Sequence, residues 1–160
     1  MPLFLGLLVM LAACAGAGNS SMKESLSVRL LMSSSHCGVM DKEAGLSIIS
    51  SGNEMEKATS RIARDALGDS FNTVFDRELV IQINMGLKPT GGYSLALTED
   101  VYISKDNWVV IGLRWNIPPK GAMLTQALTS PCLLVAIPKR KYEGISVIDQ
   151  TGEIRLQMSQ

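Results

Sequence analysis

Between Glu78 and Trp115 the side chains alternate with a period of two, and this constrains the fold more than any other feature of the chain. Leu79, Ile81, Ile83 and Met85 fall on one side, while Val80, Gln82 and Asn84 fall on the other. Only an extended strand puts alternate residues on opposite faces, so the pattern predicts a strand with at least one buried face. After the turn Lys88-Pro89-Thr90-Gly91-Gly92, Tyr93, Leu95 and Leu97 continue the alternation towards Ile103. Ser104-Lys105-Asp106-Asn107 reads as a hairpin turn into Trp108 to Trp115, where Val109, Ile111, Leu113 and Trp115 share a face, and Pro118-Pro119 stops that strand. Leu133 to Ile137 is a short apolar strand, and Ile145 to Ile148 pairs with Ile154 to Met158 across the turn Asp149 to Gly152.

Nearer the amino terminus, Leu26, Val28 and Leu30 alternate with Ser25, Ser27 and Arg29, and Leu46 to Ser50 forms another short strand. Ser33 to Gly38 reads as the loop between them. A single helix is expected, at about residues 53–67. Asn53 and Glu56 have capping-box spacing, Met55, Thr59, Ile62, Ala63 and Ala66 recur at helical intervals, and Gly68 ends the run. Many short strands around one helix define a mainly β chain, an antiparallel β-sandwich or partly closed barrel. No internal repeat is present.

An apolar run from Leu3 precedes all of this. It is too short for the roughly 20 residues that a spanning helix needs, but it suits the core of a signal peptide. The four residues Leu11-Ala12-Ala13-Cys14 resemble a bacterial lipobox. Met1-Pro2 departs from that pattern by supplying no Lys or Arg. The resemblance implies cleavage before Cys14 and lipidation of its thiol. Residues 1–13 are then a lipoprotein signal, 14–22 a flexible tether of small residues, and 23–160 a single domain. Each acyl methylene contributes about 0.8 kcal/mol, so several chains on Cys14, palmitate among them, give a lasting membrane anchor. The expected location is the bacterial cell envelope. Ala15, where Asp would signal retention at the inner membrane, points by sorting convention to the outer membrane facing the periplasm.

Fifteen basic and fifteen acidic residues leave no net charge, so no broad nucleic-acid footprint exists. Lys139-Arg140-Lys141 reads as a solvated turn. The remaining cysteines, Cys37 and Cys132, are either two inert core thiols or, since export passes through an oxidising compartment, a disulfide. Chemistry finds little support. Nucleophilic catalysis needs a base against Ser or Cys, and the chain has one histidine, His36, beside Cys37. A structural zinc site wants about four ligands, and no CxxC occurs. Glu99, Asp100 and Asp149 fall in turns, and no phosphate-binding glycine loop is present. The expectation is no enzyme, no cofactor and no metal.

Two motifs carry a likeness. Lys88-Pro89-Thr90-Gly91-Gly92-Tyr93-Ser94, followed by Pro118-Pro119-Lys120-Gly121-Ala122-Met123-Leu124-Thr125-Gln126-Ala127-Leu128-Thr129-Ser130-Pro131, resembles the carboxy-terminal domain of the PrcB-like family over about residues 80–139. That family takes its name from a lipoprotein subunit that binds and stabilises a secreted surface protease. The resemblance implies a non-catalytic module that binds or stabilises an exported protein, with a protease as the candidate partner. Read from the residues alone, Gly91 and Gly92 either shape a tight turn that leads Tyr93 into the core, or offer backbone N–H groups to a partner. Thr125, Gln126 and Thr129 can bond exposed backbone, while Leu124 and Leu128 have side chains to bury. Gly91, Gly92, Tyr93, Thr125, Gln126 and Thr129 are therefore the candidate partner-binding residues. A second resemblance, of the Lys88–Tyr93 turn to a loop of chagasin-type inhibitors, implies inhibition of a cysteine protease instead.

Overall fold

The computed structural model describes residues 23–59 and 75–160. Two sheets face one another. The first has five strands: β1 (Glu24–Ser25), β5 (Ser94–Ile103), β6 (Trp108–Asn116), β8 (Gly144–Ile148) and β9 (Ile154–Ser159), hydrogen-bonded in that order. The second has four, in the order β2 (Arg29–Ser34), β7 (Cys132–Pro138), β4 (Glu78–Asn84) and β3 (Gly45–Ile49). Among the described residues each sheet ends on an edge strand and the two sheets do not close on one another, so the arrangement is an open sandwich and the barrel alternative falls away.

The alternation read from the sequence builds the space between the sheets. Register sets Ile81 opposite Val135 and Ile83 opposite Leu133 in one sheet, and Val109 opposite Ile145 and Ile111 opposite Val147 in the other. These side chains are all fully buried in one cluster. At about 1.5–3 kcal/mol for each fully buried aliphatic side chain, this cluster dominates the stability of the fold.

The other face of β4 and β7 is covered as well. Val80, Leu134 and Ala136 form a second cluster with Met55 of the helix α1 (Gly52–Ala58). The strands are thus apolar on both sides, as covered central strands are. Gln82, also on this face, is buried because its Nε2 donates to the Ala58 carbonyl at 3.0 Å, satisfying a carbonyl that the helix end leaves without an intrahelical partner. The Ser47 hydroxyl donates to the other end of that side chain, Gln82 Oε1, at 3.4 Å.

The helix begins earlier than the sequence suggested. Its cap is Ser51, whose hydroxyl accepts from the Glu54 amide at 3.3 Å, while the Glu54 carboxylate accepts from the Ser50 amide at 2.7 Å. The capping pair is therefore Ser51 and Glu54 rather than Asn53 and Glu56. The helix closes at Ala58, with Thr59 extended and its hydroxyl donating to the Met55 carbonyl. The expected continuation over Ile62, Ala63 and Ala66 lies outside the described residues, as do Cys14 and the tether.

Two further corrections concern strands. The alternating run Ser25 to Leu30 is not one strand, since β1 ends at Ser25 in the first sheet and β2 starts at Arg29 in the second. Leu26 and Val28 pack into the core as the chain crosses between sheets, and Leu30 is left half exposed. In addition, β6 and β8 pair in parallel, against an otherwise antiparallel pattern. The chain leaves the first sheet after β6, runs through the second as β7, and returns in its former direction.

The β8–β9 hairpin is closed by Asp149, which is fully buried. Its Oδ1 accepts from the Thr151 hydroxyl (2.6 Å) and amide (2.8 Å) and from the Glu153 amide (3.2 Å), and its Oδ2 accepts from Arg155 Nε (2.7 Å). Chiefly through the Thr151 hydroxyl, these donors hold the carboxyl at about 2, below the ordinary carboxylate value of 3.8. A depressed folded-state value stabilises the hairpin fully above pH 4, and that contribution disappears as pH falls from about 4 to about 2. A carboxyl-carbon NMR titration checks this, with the Asp149 midpoint expected at about 2 and not at the ordinary 3.8. The variant Asp149→Asn should flatten the loss of thermal stability over the same interval.

Candidate interaction surface

The connections bring the two motifs together at one end of the sandwich. The loop of residues 85–93 joins β4 to β5, and the loop of residues 117–131 joins β6 to β7. Thr129 locks one to the other. Its amide donates to the Lys88 carbonyl at 2.9 Å, the Lys88 amide returns a bond to the Thr129 carbonyl at 2.7 Å, and the Thr129 hydroxyl donates to the Thr90 carbonyl at 2.9 Å. Further along, the Gly91 amide donates to the Thr125 carbonyl at 2.9 Å.

These bonds decide between the readings left open for several residues. Thr129 is buried and is a strut between loops, not a surface for a partner. The amides of Lys88 and Gly91 are engaged internally. Gly92 has φ +86°, and a Cβ placed there would stand 2.9 Å from Leu124 Cδ2 and 3.1 Å from Pro118 Cβ, so glycine is required by conformation and by space. Tyr93 is half-buried against the core, with Lys88 Nζ 5.8 Å from its ring centre. Thr125 and Gln126 remain exposed, and Gln126 Nε2 donates to the Leu124 carbonyl at 3.2 Å.

A second set of bonds ties the long loop to the amino-terminal half. The Ser130 amide donates to the Ser35 carbonyl at 2.9 Å, and the Ser130 hydroxyl accepts from the amides of Cys37 (3.0 Å) and Gly38 (3.2 Å). Cys37 and Cys132 are joined in a disulfide, with Cα atoms 6.0 Å apart. Both sulfurs are buried in the second cluster. His36 is exposed, and its Nδ1 lies 2.8 Å from the Ser35 hydroxyl, so its near partner is a neighbour in sequence and the adjacent thiol is consumed by the disulfide. Among the described residues, no group of three or more His, Cys, Asp or Glu side chains is placed to hold a metal ion.

What the sequence reading did not anticipate is where the apolar side chains of the long loop go. Leu128, expected to bury, is 63% exposed; Ile117 is 60% exposed and Met123 is fully exposed. Most large apolar side chains of the sandwich are inside, so three outside on one braced loop are unusual. The available signal was their position in the non-periodic stretch of residues 117–131, where neither helix nor sheet can cover them.

Fold and loops together define a two-sheet module with a rigid, partly apolar platform at one end. Its residues 79–138, somewhat over a third of the chain, match the family model described as PrcB C-terminal. The PrcB-like segment is β4 to β7 with the two platform loops, in agreement with the likeness read over about residues 80–139. No curated protein and no solved structure matches the chain.

Proposed function

We propose that this chain is a non-catalytic module, lipid-anchored through Cys14 in the bacterial envelope, that binds or stabilises another exported protein. The PrcB-like segment makes a protease complex the favoured setting for that partner. The observation that carries the proposal is the platform itself, in which Ile117, Met123 and Leu128 stand exposed on a loop fixed by Thr125, Thr129, Ser130 and the disulfide. A loop held in its bound shape loses little entropy on association, and exposed apolar anchors on such a loop are what protein contacts use. The disulfide supports passage through an oxidising compartment.

Affinity capture of the full, processed chain from native envelopes tests the proposal. One stoichiometric protein should co-purify, and Leu128→Asp should weaken its capture about tenfold. Because Leu128 is mostly solvated, the same variant should leave unfolding free energy within about 0.5 kcal/mol of the parent. Absence of any stoichiometric partner overturns the proposal, as does turnover of a substrate by the pure protein. Nanomolar loss of papain-like protease activity on adding the protein reassigns it as an inhibitor.

A further inference from the structure

Strand direction places the platform and the point of attachment at opposite ends of the molecule. Asn84, Ser94, Asn116 and Cys132 are the platform-side termini of β4, β5, β6 and β7. The far termini gather at the other end. There β1 pairs Glu24 with Ile103, Glu78 pairs with Pro138, and the Glu143 amide donates to the Asn107 carbonyl at 3.0 Å. The turn at residues 104–107 and the connection at residues 139–143 close this end. Lys105, Lys139, Arg140 and Lys141 are exposed on it, with Glu24 holding Arg140 at 3.1 Å. Lys23, the first described residue, enters here, its Nζ 4.2 Å from the centre of the Tyr102 ring.

Length decides which end can face the membrane. Eight residues lie between Cys14 and Lys23, so the chain from one to the other can reach at most about 30 Å. The ten residues of β5 alone measure about 33 Å. For the platform to touch the lipid, the tether would have to run taut along the whole sandwich. With the turn end down that full reach is not needed.

We infer that the sandwich stands on the membrane on its Lys105 and Lys139–Lys141 end and holds the platform a strand's length above the headgroups, so that its partner is a soluble exported protein and not a membrane-embedded one. This rests on the lipid anchor at Cys14. The lower turns expose Lys105 and Lys141 beside Asp106 and Glu143, while Lys139 Nζ donates to the Phe75 carbonyl and Arg140 is paired with Glu24, so the reach of the chain from Cys14, and not net charge, sets the orientation.

Site-specific photo-crosslinking in cells, with a photoreactive phenylalanine derivative at Lys105 or at Leu128 of the full chain, tests the orientation. The probe at position 105 should give phospholipid adducts several-fold above those at 128, where adducts should be with a soluble protein. Equal or greater lipid labelling at 128 overturns the inference, and so does a membrane-embedded protein captured there. Lipid adducts at neither position overturn it too, and the mass of the amino-terminal peptide then says which premise failed. An unacylated Cys14 removes the anchor, whereas an acylated one leaves the anchor and removes the orientation.

Discussion

Replacing both Cys37 and Cys132 with alanine should lower the free energy of unfolding by about 4 to 5 kcal/mol, since the bond closes a loop with a sequence separation of 95. For a domain whose total stability lies in the range of about 5–15 kcal/mol, that is a large share, and the midpoint of thermal unfolding should fall by roughly 10–20 °C. Denaturant titration of parent and double variant, each with and without reductant, checks the figure. The parent under reductant should approach the double variant, and the variant should not respond to reductant. A loss below about 1 kcal/mol would mean that the Ser130 bonds to Ser35, Cys37 and Gly38 hold the two halves together unaided.

Gly86→Ala should be nearly as damaging. Gly86 has φ +75°, and a Cβ there would lie 2.4 Å from the Glu43 carbonyl oxygen and 2.5 Å from that of Lys42. Backbone cannot swing aside as a long side chain can, so conformational strain and overlap add to about 3 kcal/mol or more. Gly38→Ala separates the two causes. It has the same φ of +75° but nothing within 4 Å of the added atom, so only the conformational share, about 1 kcal/mol, should appear. If both variants lose equally little, the packing of the 41–43 segment over the end of β4 is looser than described.

Period-two patterning carried most of the fold, because it reports which face of each strand is covered. The inward faces of β4 and β6 could be read directly from Ile81 and Ile111, whereas β7, apolar throughout, showed no alternation to read. It failed where a decision was not local. The run Ser25 to Leu30 alternates without a break, yet the chain changes sheets within it, since Leu26 and Val28 find cover during the crossing as well as they would in a strand. The parallel pairing of β6 with β8 depends on where β7 lies, and no nearby residue encodes that. At the helix start, Ser51-Glu54 and Asn53-Glu56 both have cap spacing. With Ser51 as the cap, Met55 sits in the second turn, beneath the second sheet.

The candidate surface was legible in a different sense. Both motifs were located, and a bond between Cys37 and Cys132 was one of two readings of those residues, but the role of each side chain depended on its partner across the gap. Thr129 looks like Thr125 in sequence. One is buried between Lys88 and Thr90 and the other is solvated, a difference set by a loop that lies some 40 positions earlier in the chain. Leu128 misled because an apolar residue near a proline is normally covered.

Sheet order has one more consequence. Each of β4, β5, β6 and β7 is an inner strand, while β1, β2, β3, β8 and β9, all from outside the PrcB-like segment, flank them on both sides. The segment is therefore a heart without a rind. Excised as residues 79–138, it would carry bare ladders of amide and carbonyl groups along both sides of two strand pairs, and it should self-associate into insoluble material where the intact chain stays dispersed.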